Sequence, residues 1–71
     1  MEYVTEDGVT LKTGDRAYDY YSMKPGKIGK DAGNLPDPWF DFEHDDGTIN
    51  LLNGARICSI EFAKRRGFKG A

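Results

Sequence analysis

Trp39-Phe40-Asp41-Phe42-Glu43-His44-Asp45-Asp46-Gly47-Thr48-Ile49-Asn50-Leu51-Leu52 is the stretch that decides the fold. From Phe40 to Glu43 apolar and acidic residues alternate, the period of a strand with one buried face. Asp46-Gly47 then supplies a turn, because glycine carries no Cβ and Asp tolerates the left-handed region. A second β-favouring run follows, so the segment reads as a hairpin. Alternation places Phe40 and Phe42 on the core face and Trp39, Asp41 and Glu43 on the solvated one. On the return strand, Ile49 and Leu51 are expected inside with Ile57, and Thr48 and Asn50 outside.

The flanking sequence extends the pattern. Glu6-Asp7-Gly8 separates Tyr3-Val4-Thr5 from Val9-Thr10-Leu11, and Asn53-Gly54 separates Leu51-Leu52 from Ala55-Arg56-Ile57-Cys58. Both predict tight hairpins, the second a type I′ turn with positive φ at Gly54. Thr13-Gly14-Asp15 leads into a strand at 16–21 whose faces are ambiguous. Arg16, Tyr18 and Tyr20 share one side, and Ala17, Asp19 and Tyr21 the other. Pro25-Gly26 is expected to interrupt before a short Lys27-Ile28-Gly29 strand. Residues 31–38, with Pro36 and Pro38, read as the longest connection. One helix is expected, at about 59–66. Ser59 can cap it, Glu61 and the bases Lys64, Arg65 and Arg66 suit its dipole, and Gly67 can end it.

Gly14-Asp15-Arg16-Ala17-Tyr18-Asp19-Tyr20, Gly26-Lys27-Ile28-Gly29 and Trp39-Phe40-Asp41-Phe42 before Asp46-Gly47 resemble the small SH3-like (Tudor/KOW-type) β-barrel. The resemblance implies one mainly β domain over residues 1–71, of five to six short antiparallel strands with one short C-terminal helix. Barrels of this type host nucleic-acid, methylated-peptide and protein-docking functions, so the fold does not choose among them. Leu51-Leu52-Asn53-Gly54-Ala55-Arg56-Ile57-Cys58, with Ala63 and Arg65-Arg66-Gly67, is also similar to small uncharacterised proteins of bacteriophages and actinobacterial prophages. That likeness implies a genomic context and no activity.

Size and chemistry narrow the function. The chain has 71 residues, 38% of them hydrophobic, enough for one small core and too few to spare for a large catalytic cavity. Cys58 is the only cysteine and His44 the only histidine, so neither an internal disulfide nor a zinc-ligand set can be assembled. No apolar run approaches the ~20 residues of a membrane span. A soluble, cytoplasmic protein is expected. Residues 37–46 hold Asp37, Asp41, Glu43, Asp45 and Asp46 without a base. Counted from Asp41, that stretch lacks the glycine and the glutamate that a calcium loop requires. His44 is expected at a solvated strand end. Cys58, between Ile57 and Ile60, is expected to be a small buried residue and not a nucleophile. No glycine loop has the spacing to cradle phosphate. The reading is therefore non-enzymatic, with no catalytic residue, cofactor or metal.

Two kinds of partner remain. Protein contact would use the aromatic anchors Tyr18, Tyr20, Tyr21 and Trp39 with Asp41. Nucleic-acid contact would use Lys24, Lys27, Lys30, Lys64, Arg65, Arg66 and Lys69. The net charge of −2 favours protein. Homo-oligomerisation stays open.

Overall fold

The computed structural model describes residues 1–33 and 36–71. Two strands, β1 (Glu2–Val4) and β2 (Thr10–Lys12), form a separate antiparallel hairpin closed at the Glu6-Asp7-Gly8 turn. The remaining strands are β3 (Arg16–Asp19), β4 (Lys24–Gly33), β5 (Trp39–His44), β6 (Ile49–Asn53) and β7 (Ile57–Cys58). They make one curled, antiparallel half-barrel sheet in the order β6-β5-β4-β3-β7. The single α-helix among the described residues, α1 (Ile60–Arg66), follows β7. The mainly β reading with one short C-terminal helix is what the chain adopts.

The helix boundaries follow from their caps. Ser59 Oγ accepts the Phe62 N–H, and Gly67 ends the helix at φ 71°, a conformation that favours glycine. Phe68 folds back, its N–H donating to the Ala63 carbonyl at 2.9 Å. Asp7 fixes the cap from outside, accepting from the Ser59 N–H at 3.0 Å and the Ser59 hydroxyl at 2.6 Å. The β1–β2 turn is thereby tied to the helix start.

Three expectations about backbone are corrected. Pro25-Gly26 does not interrupt a strand but lies within β4, which is ten residues long. Gly26 permits this, because a Cβ there would collide with the Glu43 carbonyl on β5. Of the expected 31–38 connection, Asp31–Gly33 belongs to β4 and 36–38 lead into β5, while 34 and 35 lie outside the described residues. Asn53-Gly54 makes no type I′ hairpin. Asn53 Oδ1 accepts the Ala55 N–H, capping a single 3₁₀ turn at Gly54–Arg56. This turn lets β7 cross and pair with β3. Glycine is required at 54 because a Cβ would strike the Val4 carbonyl.

Residues pack on both faces of the sheet. The inner face buries Ala17, Ile28, Phe40, Phe42, Leu52 and Ile57 under Tyr3 of the hairpin. Tyr3 sits 4.4 Å from Phe40, centroid to centroid. Phe40, Phe42 and Ile57 are in the core as expected, but Ile49 and Leu51 are not. They are 62% and 57% exposed, and Leu52 takes the inner position. The reason is register. The Asp45-Asp46-Gly47 turn pairs His44 with Thr48, so Phe42 faces Asn50 and Phe40 faces Leu52. Residues directly opposite share a face, so Ile49 and Leu51 stand with Glu43 and Asp41. The 16–21 ambiguity resolves as a strand covered on both sides. Ala17 and Asp19 point inward, while Tyr18 points outward into a second cluster with Cys58 and Ala63 beneath the helix.

Candidate functional site

The outer face of the sheet is half covered. Over β3 and β7, α1 and the C-terminal residues bury Tyr18, whose hydroxyl donates to the Lys69 carbonyl at 2.5 Å and whose ring stacks on Phe68 at 5.6 Å. Over β5 and β6 nothing is laid among the described residues. There Trp39 and Asp41 are half-buried, and Glu43, Ile49 and Leu51 are exposed. The pairing of Asp41 with Leu51 and Glu43 with Ile49 sets two acids beside two aliphatic residues. Gly29 on β4 deepens this surface. Glu43 Oε2 lies 2.9 Å from where a Gly29 Cβ would stand, so the Glu43 chain leans across the gap.

The charges of this face are unspent. Asp45 is held by Arg16 in a two-pronged pair at 2.6 and 2.7 Å, and Asp46 by Lys24 at 2.8 Å. Hydrogen bonds from Arg16 hold the Asp45 carboxyl below its ordinary range, and those from Lys24 and Thr48 do the same for Asp46. Asp41 and Glu43 form no ion pair among the described residues, although Lys27 stands across from Glu43 in register.

The candidate protein-contact residues do not converge. Tyr18 is fully buried and is a core residue, unable to meet a partner. Tyr20 donates to the Ala55 carbonyl at 2.6 Å, and the exposed Tyr21 lies under the Arg56 guanidinium, 4.5 Å from its ring centre. These two tyrosines belong to the β3–β4 turn. Only Trp39 and Asp41 share the bare face, and they share it with Ile49 and Leu51. The candidate phosphate-binding residues are likewise divided. Lys24 is engaged by Asp46, the exposed Lys27 and Lys30 lie on β4, and Lys64, Arg65 and Arg66 line α1 with Lys69 beyond it. Arg66 rests over the Phe62 ring at 5.0 Å.

His44 is corrected from a solvated strand end to a buried group. It shares the parity of Phe40 and Phe42, and its Nε2 lies 2.8 Å from Asp19 Oδ2, both side chains being essentially inaccessible. Nδ1 faces the Thr48 carbonyl at 3.1 Å and the Thr48 hydroxyl at 3.0 Å. That hydroxyl also donates to Asp46 Oδ1 at 2.7 Å, which joins the ring to the β5–β6 turn. Asp19 also accepts the Tyr21 and Ser22 N–H groups at 3.1 and 3.2 Å. Burial raises its carboxyl, but the bonds from His44, Ser22 and Tyr21 outweigh burial and hold it below its ordinary value. An ionised Asp19 accepts from the His44 ring and from the Tyr21 and Ser22 N–H groups together. The pair pins the β3–β4 turn to the β5–β6 turn and leaves no ring nitrogen for a substrate. Burial pushes the Cys58 thiol up to about 11, with the nearby Asp7 charge adding to it, which makes it a poor nucleophile.

In comparisons with known proteins, no family model matches the chain, and neither a curated protein nor a solved structure matches it. No helix among the described residues is long and apolar enough to cross a membrane.

Proposed function

We propose that this chain is a small, non-enzymatic binding module of the SH3-like class that docks a protein partner through the outer face of β5 and β6. The pair Ile49 and Leu51 carries the reading: two aliphatic side chains more than half exposed on adjoining outward positions, next to Trp39 and Asp41. Other apolar residues are exposed singly, but Ile49 and Leu51 adjoin on one strand beside Trp39, and a contiguous apolar patch marks an interaction surface. The order of the five strands, with a 3₁₀ turn before a last strand that pairs with the first of the sheet, supports the SH3-like class. The buried His44 and Cys58 support the absence of catalysis. The sequence resemblance to phage and prophage proteins supports a phage-encoded origin.

The test is a titration of the partner recovered by cross-linking from host lysate. Trp39→Ala and the double variant Ile49→Lys/Leu51→Lys should each weaken the complex at least about tenfold. Arg65→Glu/Arg66→Glu should leave it unchanged. The opposite result supports the basic end as the working surface. In that case single-stranded oligonucleotides should bind with a log–log salt slope of about −0.7 per contact, about −3 for Lys64, Arg65, Arg66 and Lys69 together.

A further inference from the structure

Among the described residues, β6 ends the sheet and pairs with β5 alone, which leaves its outer edge open. The phase of that ladder is set by the hairpin turn, where the His44 N–H donates to the Thr48 carbonyl at 2.9 Å. Bonded pairs then recur at every second residue, which assigns Asn50 and Leu52 to β5 and turns the N–H and C=O of Ile49 and Leu51 outward. Natural edge strands are usually protected by a charge, a proline or a bulge. Ile49-Asn50-Leu51-Leu52-Asn53 has none of these. From this open ladder we infer that β6 accepts an added strand, and that its occupant is an extended peptide segment carrying Lys or Arg at alternate positions.

The charge of the occupant follows from what lies behind the edge. An added strand runs about 5 Å from β6 and about 10 Å from β5. Its outward side chains therefore meet Ile49 and Leu51 first, with Asp41 and Glu43 one strand further in. A lysine or arginine spans this distance, laying its methylene stem over the aliphatic pair and its charged head on the carboxylates. At the Asn53 end, a groove of about 340 Å³ is lined by Asn53 with Glu2, Tyr3, Val4, Glu6 and Asp37, which adds acids at that end of the strand. A second copy of β6 offers only Ile49, Leu51 and Asn53 on that face and neutralises nothing. Main-chain bonds would give affinity and the alternate cations selectivity. A nucleic acid has no N–H and C=O ladder with which to complete the edge.

This inference rests on the docking reading above, and its test separates the two. The probe is a synthetic peptide of alternating Lys and Val, titrated into isotope-labelled protein and followed by amide exchange and chemical shift. The Ile49 and Leu51 amides should gain protection of tenfold or more, a change of about 1.4 kcal/mol in local opening. A peptide with Glu for Lys should bind at least about tenfold more weakly. Asp41→Asn/Glu43→Gln should remove that preference without altering the melting temperature. Shifts at Trp39 without protection of Ile49 and Leu51 would overturn strand addition and keep the docking face. No shift anywhere on β5 or β6, with the recovered partner also indifferent to Ile49→Lys/Leu51→Lys, would overturn both. Concentration-dependent protection of the same two amides without peptide would replace the occupant by a second copy.

Discussion

Tyr18 and Leu51 both point to the outer face of the same sheet, and they live in different worlds. Tyr18, on β3, is fully buried beneath Ala63 and Phe68. Leu51, three strands away on β6, is 57% exposed. The difference is the seven-residue helix, which reaches only as far as its own strand, β7, and its neighbour β3. A helix this short has no stability of its own and forms only where it buries an apolar stripe. It therefore consumes the apolar surface of one half of the face and leaves that of the other half standing. One sheet carries a structural surface and a recognition surface, separated by β4.

The sharpest way to break this comparison is to empty the covered half. Tyr18→Ala should cost about 3–5 kcal/mol, since it opens a cavity and leaves the Lys69 carbonyl without its donor. A urea midpoint close to wild type would show that the helix does not need the sheet. The inner-face pair gives a loss of similar size. Asp19→Ala leaves the buried His44 Nε2 and the Tyr21 and Ser22 N–H groups without their shared partner, which should cost about 3–5 kcal/mol. The same pair predicts the acid limb of stability. Asp19 is held below its ordinary value of 3.8, so the folded state binds fewer protons than the unfolded one near that pH. Its contribution is fully present above the unfolded value and is lost as pH falls through the lower folded one. Wild type should lose stability below about pH 4, and Asp19→Asn should flatten that limb. Parallel acid curves for the two would remove Asp19 from the account.

A smaller effect is expected where the hairpin meets the rim of the sheet. Gly54→Ala adds a methyl against the Val4 carbonyl and should cost about 1–3 kcal/mol through overpacking. The cause differs from a turn requirement, and the two can be told apart. Gly54→D-Ala would relieve a positive-φ glycine, but Gly54 is not among the glycines of positive φ. Rescue by the D-residue would restore the hairpin assignment.

What the sequence made legible was local, and what it hid was set by partners. Ser59 and Gly67 each carry their own reason to end a helix, and the reason is chemical and short-range. Asp45-Asp46-Gly47 likewise forms the turn its residues favour. Asn53-Gly54 shows the same preference and does not follow it, because β7 pairs with β3 and not with β6. His44 is buried, in parity with Phe40 and Phe42, against the expectation of a solvated end. Its neighbours Glu43 and Asp45 suggested solvent, while its partner Asp19 lies 25 residues away. The protein-contact residues suffered from the same limit. Tyr18 and Trp39 are both aromatics on outward positions, and only the reach of α1 decides which is left for a partner.

The β6 register is the finest of these distinctions, and it decides the binding surface. Ile49, Leu51 and Leu52 give apolar residues at both parities, so apolar pattern alone allows either face. Turn length breaks the tie, because closing three residues between His44 and Thr48 fixes Asn50 opposite Phe42. Adjacent leucines should then respond in opposite ways. Leu52→Ala empties an inner position beside Phe40 and should cost about 2–5 kcal/mol. Leu51→Ala removes an exposed side chain and should stay within about 0.5 kcal/mol of wild type, while weakening whatever docks on β6. Chemical denaturation of the two variants measures both at once. Equal losses would mean that Leu51 is in the core after all, and the recognition surface would then have no aliphatic centre.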